Sequence, residues 1–496
     1  MKKITFIIAA LLLCLGAQAK LSVRNLCSDG MVLQQQTQAT VWGWADANAQ
    51  VSVTPSWSGK TYSCKADKKG IWKVSVDTPA ASYTNYSIAV KSGKEKLTIN
   101  DVLIGEVWLS SGQSNMQIPI KGFTGCPIEN CNEVVTQAPA RDKIRMFTVP
   151  HTQSLKLEDD VEGQWDKADP NTIPDMSAVS YFFARKLNQV LDVPIGMVNC
   201  PFGGSRVEMW IPKEILATYG TEDLSDDAVN KKGRYDKPFV AYNAMINPIK
   251  GYTIKGFIWY QGCSNVGKHD QFVPRMTNMI RIFRECFGDT GSALPFYEVE
   301  IAPYVYDRRN PDGDSGALLR RAQHEVANVV PNAACVVTND LVASYEKTNI
   351  HPSRKEPIGN RLAYLALNRD YGFKNVLCYS PEATEITQIE MRRFGPPGMQ
   401  QNSDQPAPKE TVVKLIHCES GLNRTAEIEG LEACGEDGVW VKVDAASFDG
   451  NGYLHIRSEA VPSPVGIRYG WGDYKPGNLA NCEGLPVAPF CLKLND

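Results

Sequence analysis

Histidine is scarce in this sequence, with six among 496 residues, and this scarcity narrows the search for a catalytic base. His351 stands apart because it lies in the loop Asn349-Ile350-His351-Pro352, between a predicted strand (334–340) and a predicted helix that begins at Pro357. The others lie in polar loops, on the polar face of a predicted helix or in late alternating strands: His151, His269, His324, His417 and His455. Elimination therefore favours His351 as a base.

The sequence also lacks an excess of basic residues, and its formal net charge is −3. Removal of the first 19 residues takes away two of the 52 basic residues and none of the 55 acidic ones, which leaves a formal charge of −5. This mildly acidic balance argues against nucleic acid as a partner. After the N-terminal apolar run no second one is long enough to span a bilayer, so we expect no membrane span.

Residues 1–19 read as a cleavable signal peptide. Lys2 and Lys3 precede the apolar run Ile4–Leu15, and Ala17-Gln18-Ala19 has the small-x-small pattern of a cleavage site. Cys14 follows Leu13, where a lipoprotein signal would carry a small residue. We therefore expect a periplasmic or secreted protein, and a retained N-terminal anchor stays as the alternative.

No C-x-x-C pair occurs among the cysteines, so we expect no zinc site. The serine chemistry considered below requires no metal. Thirteen of the 14 cysteines remain once Cys14 is removed, an odd number. Export permits disulfides, and Cys126 and Cys131, which bracket a short loop, are the most plausible pair. For cysteines inside apolar runs, such as Cys200, a free buried thiol is the ordinary expectation.

The length of the chain predicts two or three domains, and the spacing of its patterns changes twice. Residues 20–100 show short alternating runs, which predict an N-terminal β-sandwich. Residues 101–380 alternate strands with helical stretches, which predicts an α/β domain with a mostly parallel sheet. Residues 381–496 return to short β-like runs and form either a separate β unit or an extension of the earlier sheets, partly packed on the α/β domain.

The most informative stretch is Gly112-Gln113-Ser114-Asn115, which follows the apolar run 102–109. That run predicts a buried strand, and the glycine and polar residues after it predict a tight turn. Open α/β sheets place reactive groups at the carboxyl ends of their strands. Ser114 is therefore a candidate nucleophile, although a serine at this place can also simply cap a helix.

Acyl transfer from a serine also needs donors for the developing oxyanion, and two turns after predicted strands offer them. The turn at 199–205 contains Gly203-Gly204, whose backbone N–H groups can approach a ligand closely. The turn at 259–265 offers the side-chain amides of Gln261 and Asn265. A plain turn role is the alternative at each of these positions.

Four blocks in this order resemble those of the SGNH-type esterases and, more narrowly, of the sialate O-acetylesterase family. They are Gly-Gln-Ser-Asn-Met (112–116), Gly-Gly-Ser (203–205), Trp-Tyr-Gln-Gly-x-Ser-Asn (259–265) and Ile-His-Pro (350–352). The resemblance extends over most of the chain after residue 19. It implies a three-layer α/β/α SGNH-like domain with accessory β-sandwich domains.

The resemblance implies a role for each matching residue. Ser114 would be the nucleophile and His351 the general base. The backbone N–H groups of Ser114 and Gly204, together with the side-chain amide of Asn265, would form the oxyanion hole, and Gln261 would be a neighbouring substrate-binding group. No cofactor is required for this chemistry.

Two departures from the family pattern concern the groups around His351. Cys263 stands where the third block usually has glutamate, and Asn349 and Thr348 stand where many SGNH enzymes have the aspartate that orients the histidine. Asp340 and Glu346 are candidates for that orienting role. A Ser–His dyad oriented by a backbone carbonyl is equally compatible with the sequence, and a capping role for Asp340 is the alternative.

Arg206 lies two residues after Gly204 and could bind the carboxylate of a sialic acid, since arginine matches carboxylates bidentately. Trp210 and Tyr260 could line a sugar site. A surface salt bridge for Arg206 and core packing for the two aromatic residues are the structural alternatives.

These features predict an exported serine esterase that removes acetyl groups from O-acetylated sialic acids or sialoglycans. One alternative keeps the chemistry and changes the substrate to a plant polysaccharide such as acetylated xylan. Another is a non-catalytic carbohydrate-binding protein, which Cys263 and the missing aspartate before His351 would favour. The oligomeric state is not indicated.

Overall fold

A computed structural model describes residues 20–138, 143–310, 313–390, 409–425 and 427–494. The expected signal peptide, residues 1–19, lies outside these ranges. Within them, no helix has the length and apolarity to cross a membrane.

The N-terminal part of the chain is built of β-strands. A small antiparallel sheet contains β1, β3 and β6, and β4 pairs with β5 and β7. In β6 every second residue is buried, as one-sided packing on a core requires. The strands are β1 Ser22–Val23, β2 Val32–Gln34, β3 Gln38–Trp44, β4 Gln50–Pro55, β5 Tyr62–Lys65, β6 Ile71–Asp77, β7 Ser82–Ser92 and β8 Glu95–Gly112.

The 18-residue strand β8 belongs to both parts of the molecule. Its first half pairs antiparallel with β7, whereas Glu106–Gly112 pairs parallel with β11. The next strands of the chain are β9 Ile144–Thr148, β10 Trp165–Lys167, β11 Ile195–Pro201, β12 Gly256–Tyr260, β13 Phe296–Val299 and β14 Ala333–Val336.

The resulting 11-stranded sheet is mixed, which corrects the expectation of a mostly parallel sheet. Along the order β10-β9-β11-β8-β12-β13-β14, only β10 is antiparallel to its neighbour. The antiparallel strands β4, β5 and β7 join the same sheet through β8. The sequence pattern did not reveal this because the apolar run 102–109 shows only the buried half of β8.

Helices cover both faces of the parallel strands. The helices are α1 Ser114–Gln117, α2 Cys131–Thr136, α3 Ala178–Leu191, α4 Lys213–Ala217, α5 Asp226–Lys231, α6 His269–Cys286, α7 Ser315–Val329 and α8 Glu356–Arg369. Short 3₁₀ helices lie at Asn25–Cys27, Ile173–Asp175, Val207–Trp210, Asn247–Ile249, Cys263–Asn265 and Ser344–Glu346, and a π-helical turn lies at Tyr242–Ile246.

Alternate residues of the central strands enter two separate apolar cores. Val107 and Leu109 pack in the core that contains residues of α6 and α7, whereas Trp108 packs in the core that contains residues of α3 and α8. The helices α3 and α8 approach closely at Gly359, which has no side chain. A Cβ at this position would lie only 2.6 Å from the Cβ of Phe182. This packing fixes the position of α8 and therefore of the loop before it, which carries His351.

The C-terminal part contains two antiparallel four-stranded sheets around a third apolar core. Their orders are β15-β16-β20-β19 and β18-β17-β21-β22. Asp473 connects this part to α7, because its Oδ1 accepts from Gly316 N at 2.7 Å. The strands are β15 Glu382–Glu390, β16 Lys409–Ile416, β17 Leu431–Cys434, β18 Trp440–Lys442, β19 Ala445–Phe448, β20 Tyr453–Arg457, β21 Gly466–Tyr469 and β22 Phe490–Lys493.

Candidate active site

The turn that presents Ser114 is fixed by the strand beside it. Gly112 has a φ of 132°, and a Cβ there would lie 2.2 Å from the carbonyl oxygen of Tyr260, so only glycine fits. Gln113 N donates to that same carbonyl at 2.9 Å, and Gln113 Oε1 accepts from Gly262 N at 2.8 Å. The chain then enters α1, whose first residue is the half-buried Ser114.

Ser114, the Gly203–Gly204 turn and His351 line one pocket of about 450 Å³. The pocket lies where β8 and β11 end, as parallel strands predict. A Cβ on Gly203 would lie 3.5 Å from the Cβ of Ser114, so the two turns are in direct contact. The lining residues are Ser114, Gln117, Phe123, His151, Phe202, Gly203, Gly204, Arg234, Tyr235 and His351.

The loop that carries His351 is held by polar contacts on both sides. Asn115 Nδ2 donates to the carbonyl of Ile350 at 2.9 Å, which connects the residue after Ser114 to the residue before His351. Asn349 Oδ1 accepts from the backbone N–H of His351 at 3.0 Å, and Glu346 Oε1 accepts from Ser353 N at 2.9 Å. Glu346 therefore stabilises the loop backbone, and no hydrogen bond joins it to the imidazole in the described part of the chain.

The imidazole of His351 is half-buried beside an aromatic ring and a thiol. Phe123 packs edge-on against it with ring centroids 5.5 Å apart, and Cys126 Sγ lies 3.7 Å from its Nδ1. Nε2 is shielded from solvent and has no hydrogen-bond partner among the described residues. Burial, with a smaller contribution from the charge of Lys355, lowers the pKa of His351 to about 4. The ring is therefore neutral at neutral pH and able to accept a proton.

Asp340 is a candidate on sequence grounds to orient His351, but its carboxylate contacts Arg361 instead. Its two carboxylate oxygens accept from the guanidinium of Arg361 at 2.8 and 2.6 Å, and Arg361 also donates to Val337 O. This bidentate pair ties the end of β14 to α8. No hydrogen bond joins Asp340 to His351 in the part of the chain that the structure describes.

Gln261 and Asn265 lie behind the Gly203–Gly204 turn and are almost completely buried. Gln261 Nε2 donates to Ser205 O at 3.0 Å and to Asn265 Oδ1 at 2.8 Å. Asn265 Oδ1 also accepts from Val207 N, and its Nδ2 donates to Glu208 Oε2 at 3.1 Å. These amides hold the glycine turn against the end of β12.

Arg206 and Trp210 lie away from the pocket lining. Arg206 pairs with Asp236 at 2.7 Å. Trp210 is buried, donates its indole N–H to Ser205 Oγ at 3.1 Å and packs edge-on against Trp259. Arg206 therefore forms a salt bridge and Trp210 packs in the core, which are the structural alternatives to substrate binding for these two residues.

The pocket contains residues that the sequence did not indicate. Arg234 places its guanidinium 5.4 Å from the ring of Phe202 and 5.9 Å from that of Tyr235, and it has no carboxylate partner among the described residues. His151 packs on Phe202, and burial lowers its pKa, with a further effect from the charge of Arg234. Neither Arg234 nor Tyr235 lies at a strand end, so no pattern marked them.

Cys126 and Cys131 are free thiols, so the disulfide expected between them is absent. Cys126 instead directs its sulfur toward the histidine loop, 3.4 Å from Asn349 Oδ1. The short spacing of the two cysteines suggested a bridge, but Cys131 begins α2 and packs with the apolar core on that side of the sheet.

Comparison with known proteins identifies the family of this chain. A family model described as carbohydrate esterase, sialic acid-specific acetylesterase matches residues 104–368. The chain therefore belongs to this family of carbohydrate esterases, and the resemblance read from the sequence is confirmed. It is a carboxylic ester hydrolase.

The chain is similar along almost its whole length to curated relatives. It is 28% identical to the sialate O-acetylesterase of Pongo abelii, with 95% of this chain and 92% of the relative covered, and 26% identical to that of Mus musculus, with 94% and 93% covered. A crystal structure of a carbohydrate acetylesterase from Xanthomonas citri superposes with a TM-score of 0.80 at 30% identity, covering 95% of this chain and 99% of that one.

Proposed function

We propose that this esterase removes O-acetyl groups from sialic acids through an acyl-enzyme formed on Ser114, with His351 as the base. The observation that carries the proposal is the pocket that Ser114, the Gly203–Gly204 turn and His351 line together. The curated relatives, which are sialate O-acetylesterases, support the choice of substrate.

In the acylation step, Ser114 Oγ attacks the acetyl carbonyl carbon while His351 Nε2 takes the hydroxyl proton. His351 is neutral at neutral pH, so its ring has a lone pair that can accept this proton. The tetrahedral intermediate then expels the sugar oxygen, which receives the same proton from Nε2. In the second step, His351 Nε2 takes a proton from a water whose oxygen attacks the acyl carbonyl carbon. The bond between that carbon and Ser114 Oγ then breaks, Nε2 returns the proton to Oγ, and acetic acid leaves and ionises to acetate.

The developing oxyanion would be bound by backbone N–H groups at two turns. The N–H groups of Ser114 and Gly204 have no acceptor among the described residues, which leaves them available to a substrate oxygen. Asn265 would supply a third donor, since one of its two amide protons goes to Glu208 and the other has no acceptor in the described part of the chain.

Arg234 favours an anionic sugar over a neutral plant glycan. The guanidinium of Arg234 lines the same pocket as Ser114 and has no carboxylate partner among the described residues. It can bind a carboxylate bidentately, and a sialic acid carries one whereas xylan does not. The aromatic rings of Phe202 and Tyr235 would hold the guanidinium and offer apolar surface to the sugar.

The finer architecture belongs to the same proposal. Parallel strands with α3 and α8 on one face and α6 and α7 on the other support an SGNH-like three-layer domain over residues 101–380. The antiparallel strands before and after it support β domains at 20–100 and 381–496. Export to the periplasm or beyond rests on the signal pattern of residues 1–19.

The test measures acetate release from O-acetylated sialoglycan and from acetylated xylan by wild type, Ser114→Ala and Ser58→Ala. Ser58 is an exposed serine in the N-terminal β region and serves as the matched control. We expect release from the sialoglycan to fall about 10⁴-fold or more in Ser114→Ala and to stay unchanged in Ser58→Ala.

Undiminished release by Ser114→Ala would contradict the mechanism. Faster release from xylan than from sialoglycan by wild type would replace the substrate and keep the mechanism. A folded wild-type protein that releases no acetate and resists fluorophosphonate labelling at Ser114 would support a carbohydrate-binding role instead.

A further inference from the structure

The imidazole of His351 has a sulfur neighbour where a triad would place a carboxylate. Cys126 Sγ lies 3.7 Å from Nδ1, and no carboxylate is paired with either ring nitrogen within the described ranges. Asp340 is engaged by Arg361, and Glu346 by the loop backbone. Cys126 is therefore the polar side chain that faces Nδ1.

The hydrogen-bond pattern around Cys126 fixes the direction of its S–H. Asn349 Oδ1 lies 3.4 Å from Cys126 Sγ and also accepts from the backbone N–H of His351, which identifies this atom as the amide oxygen. An oxygen can only accept, so the thiol proton points toward Asn349. The sulfur lone pairs then remain for Nδ1, which must carry the proton in that contact.

A proton on Nδ1 leaves the lone pair of the neutral ring on Nε2. Nε2 is the nitrogen without a hydrogen-bond partner among the described residues, and it belongs to a residue that shares the pocket with Ser114. The tautomer that Cys126 selects is therefore the one that a general base acting through Nε2 requires.

The turn that carries Cys126 is preformed. Phe123 N donates to Cys126 O at 3.1 Å, and Cys126 N donates to Phe123 O at 2.9 Å. Gly122 has a φ of 77°, and a Cβ there would lie 2.4 Å from Cys126 O, so glycine is needed for the turn to close. Phe123 and Cys126 thus contact the imidazole from one rigid segment.

We propose that Cys126 is the positioning residue of His351: it accepts the Nδ1–H hydrogen bond and holds the ring in the tautomer that takes the proton of Ser114. This inference rests on the proposed Ser114–His351 mechanism. Throughout the reaction the proton moves only between Ser114 or water, Nε2 and the leaving oxygen. Cys126 keeps its own proton, and the Nδ1 proton stays on nitrogen.

The test compares Cys126→Ala, Cys126→Ser and the control Cys131→Ser, with Ser114→Ala measured beside them. We expect Cys126→Ala to lower kcat for acetate release about tenfold or more while KM changes less than twofold, since a positioning group acts on the chemical step. The serine hydroxyl can also accept from Nδ1 and donate to Asn349, so Cys126→Ser should recover most of kcat. Cys131 begins α2, and no hydrogen bond joins it to His351 among the described residues, so its variant should match wild type.

A spectroscopic measurement separates positioning from a general structural effect. In protein labelled with ¹⁵N-histidine, the His351 signals are identified by their loss in His351→Gln, and the shifts of its two nitrogens report the tautomer. We expect the Nδ1–H form in wild type and Cys126→Ser, and a mixture of tautomers in Cys126→Ala.

Unchanged kcat and tautomer in Cys126→Ala, beside an inactive Ser114→Ala, would overturn the role of Cys126 and leave the esterase mechanism intact. A Cys126→Ser variant as slow as Cys126→Ala, with the Nδ1–H form kept in both, would also overturn it. An active Ser114→Ala would instead overturn the proposed function.

Discussion

Lys355 Nζ donates a 2.7 Å hydrogen bond to Asn115 Oδ1, and this contact joins the residue at the start of α8 to the residue that follows Ser114. The amine is completely buried and lies 5.4 Å from the ring of Tyr260. Asn115 also contacts the loop that carries His351, because its Nδ2 donates to the carbonyl of Ile350. The candidate nucleophile and base are therefore held by one pair of side chains.

The charge of Lys355 should appear in the acid limb of the pH profile. Burial lowers the pKa of Lys355 to about 7, so the amine is protonated at pH 4, where it disfavours protonation of His351. Activity needs the neutral imidazole, so kcat/KM should be full above the pKa of His351 and fall as the pH drops through about 4. Lys355→Met removes a positive charge and should move this limb to higher pH.

The measurement is acetate release from a neutral acetyl ester between pH 3 and 8, with Lys347→Met as the control. Lys347 is exposed and carries the same charge in the same loop. A limb that stays in place or moves to lower pH in Lys355→Met would contradict the electrostatic argument.

Gly204→Ala should slow the reaction by displacing a donor of the proposed oxyanion hole. Gly204 has a φ of 76°, and a Cβ there would lie 2.8 Å from the ring of Tyr235. We expect kcat to fall about tenfold to a hundredfold, less than complete loss of an oxyanion donor costs in the most sensitive enzymes.

Gly220→Ala is the matched control for Gly204→Ala, since its φ of 61° imposes a similar backbone strain with no atom within 4 Å of the new Cβ. Steady-state kinetics and a thermal melt of both variants separate activity from stability. Equal losses of kcat in the two variants would mean that backbone strain, and not the position of the donor, is responsible.

Arg234→Gln should discriminate between substrates. If Arg234 binds the carboxylate of a sialic acid, its loss removes a charge-assisted interaction of about 1.5–3 kcal/mol, which corresponds to a fall of about 10- to 160-fold in kcat/KM. A neutral acetyl ester should be hydrolysed at the wild-type rate. Arg206→Gln is the control, because Arg206 is paired with Asp236 outside the pocket. A parallel loss on both substrates would contradict carboxylate recognition.

Asp340→Asn should affect stability and spare activity. The bidentate pair with Arg361 is largely buried on the arginine side, where 9% of the side chain is exposed, so weakening it should cost about 1–3 kcal/mol of unfolding free energy. The exposed pair of Lys121 and Asp175 is the comparison, and Asp175→Asn should cost less than about 1 kcal/mol. A large loss of kcat in a stable Asp340→Asn protein would restore Asp340 to the catalytic site.

The sequence predicted most of the elements that carry the site, because their patterns are local. The apolar stretch 256–260 predicts a buried strand and matches β12. The helical spacing of 180–193 predicts a helix, which matches α3 to within two residues at each end. The helical spacing of 276–287 predicts a helix that starts at Met276, but α6 begins earlier, at His269. The polar first turns of α6 lack the apolar period that marks its core-facing half.

The partners of the titratable groups were not predictable, because they lie on other elements that only the folded chain brings together. Asp340 is paired by Arg361, which lies 21 positions away and one helix later. Cys126 contacts His351, which lies 225 positions later in the chain. The spacing of Cys126 and Cys131 instead favoured a disulfide between these two cysteines. Arg234 enters the pocket from a stretch with no strand or helix pattern. Residue types and strand ends identify Ser114, the Gly203–Gly204 turn and His351, but long-range packing chooses their neighbours.

The continuity of β8 limits how this enzyme can be divided. The sequence places a boundary near residue 101, yet the strand runs unbroken from Glu95 to Gly112, and residues 95–99 pair with β7. A fragment that starts at residue 101 would lose the first third of the strand that ends beside Ser114. It would also leave unpaired backbone groups on β7 in the part cut away. A cut before Glu95 keeps β8 whole but removes β7, the strand that pairs with its first half. The N-terminal β region and the parallel part of the sheet therefore each need a strand from the other to complete their hydrogen bonding.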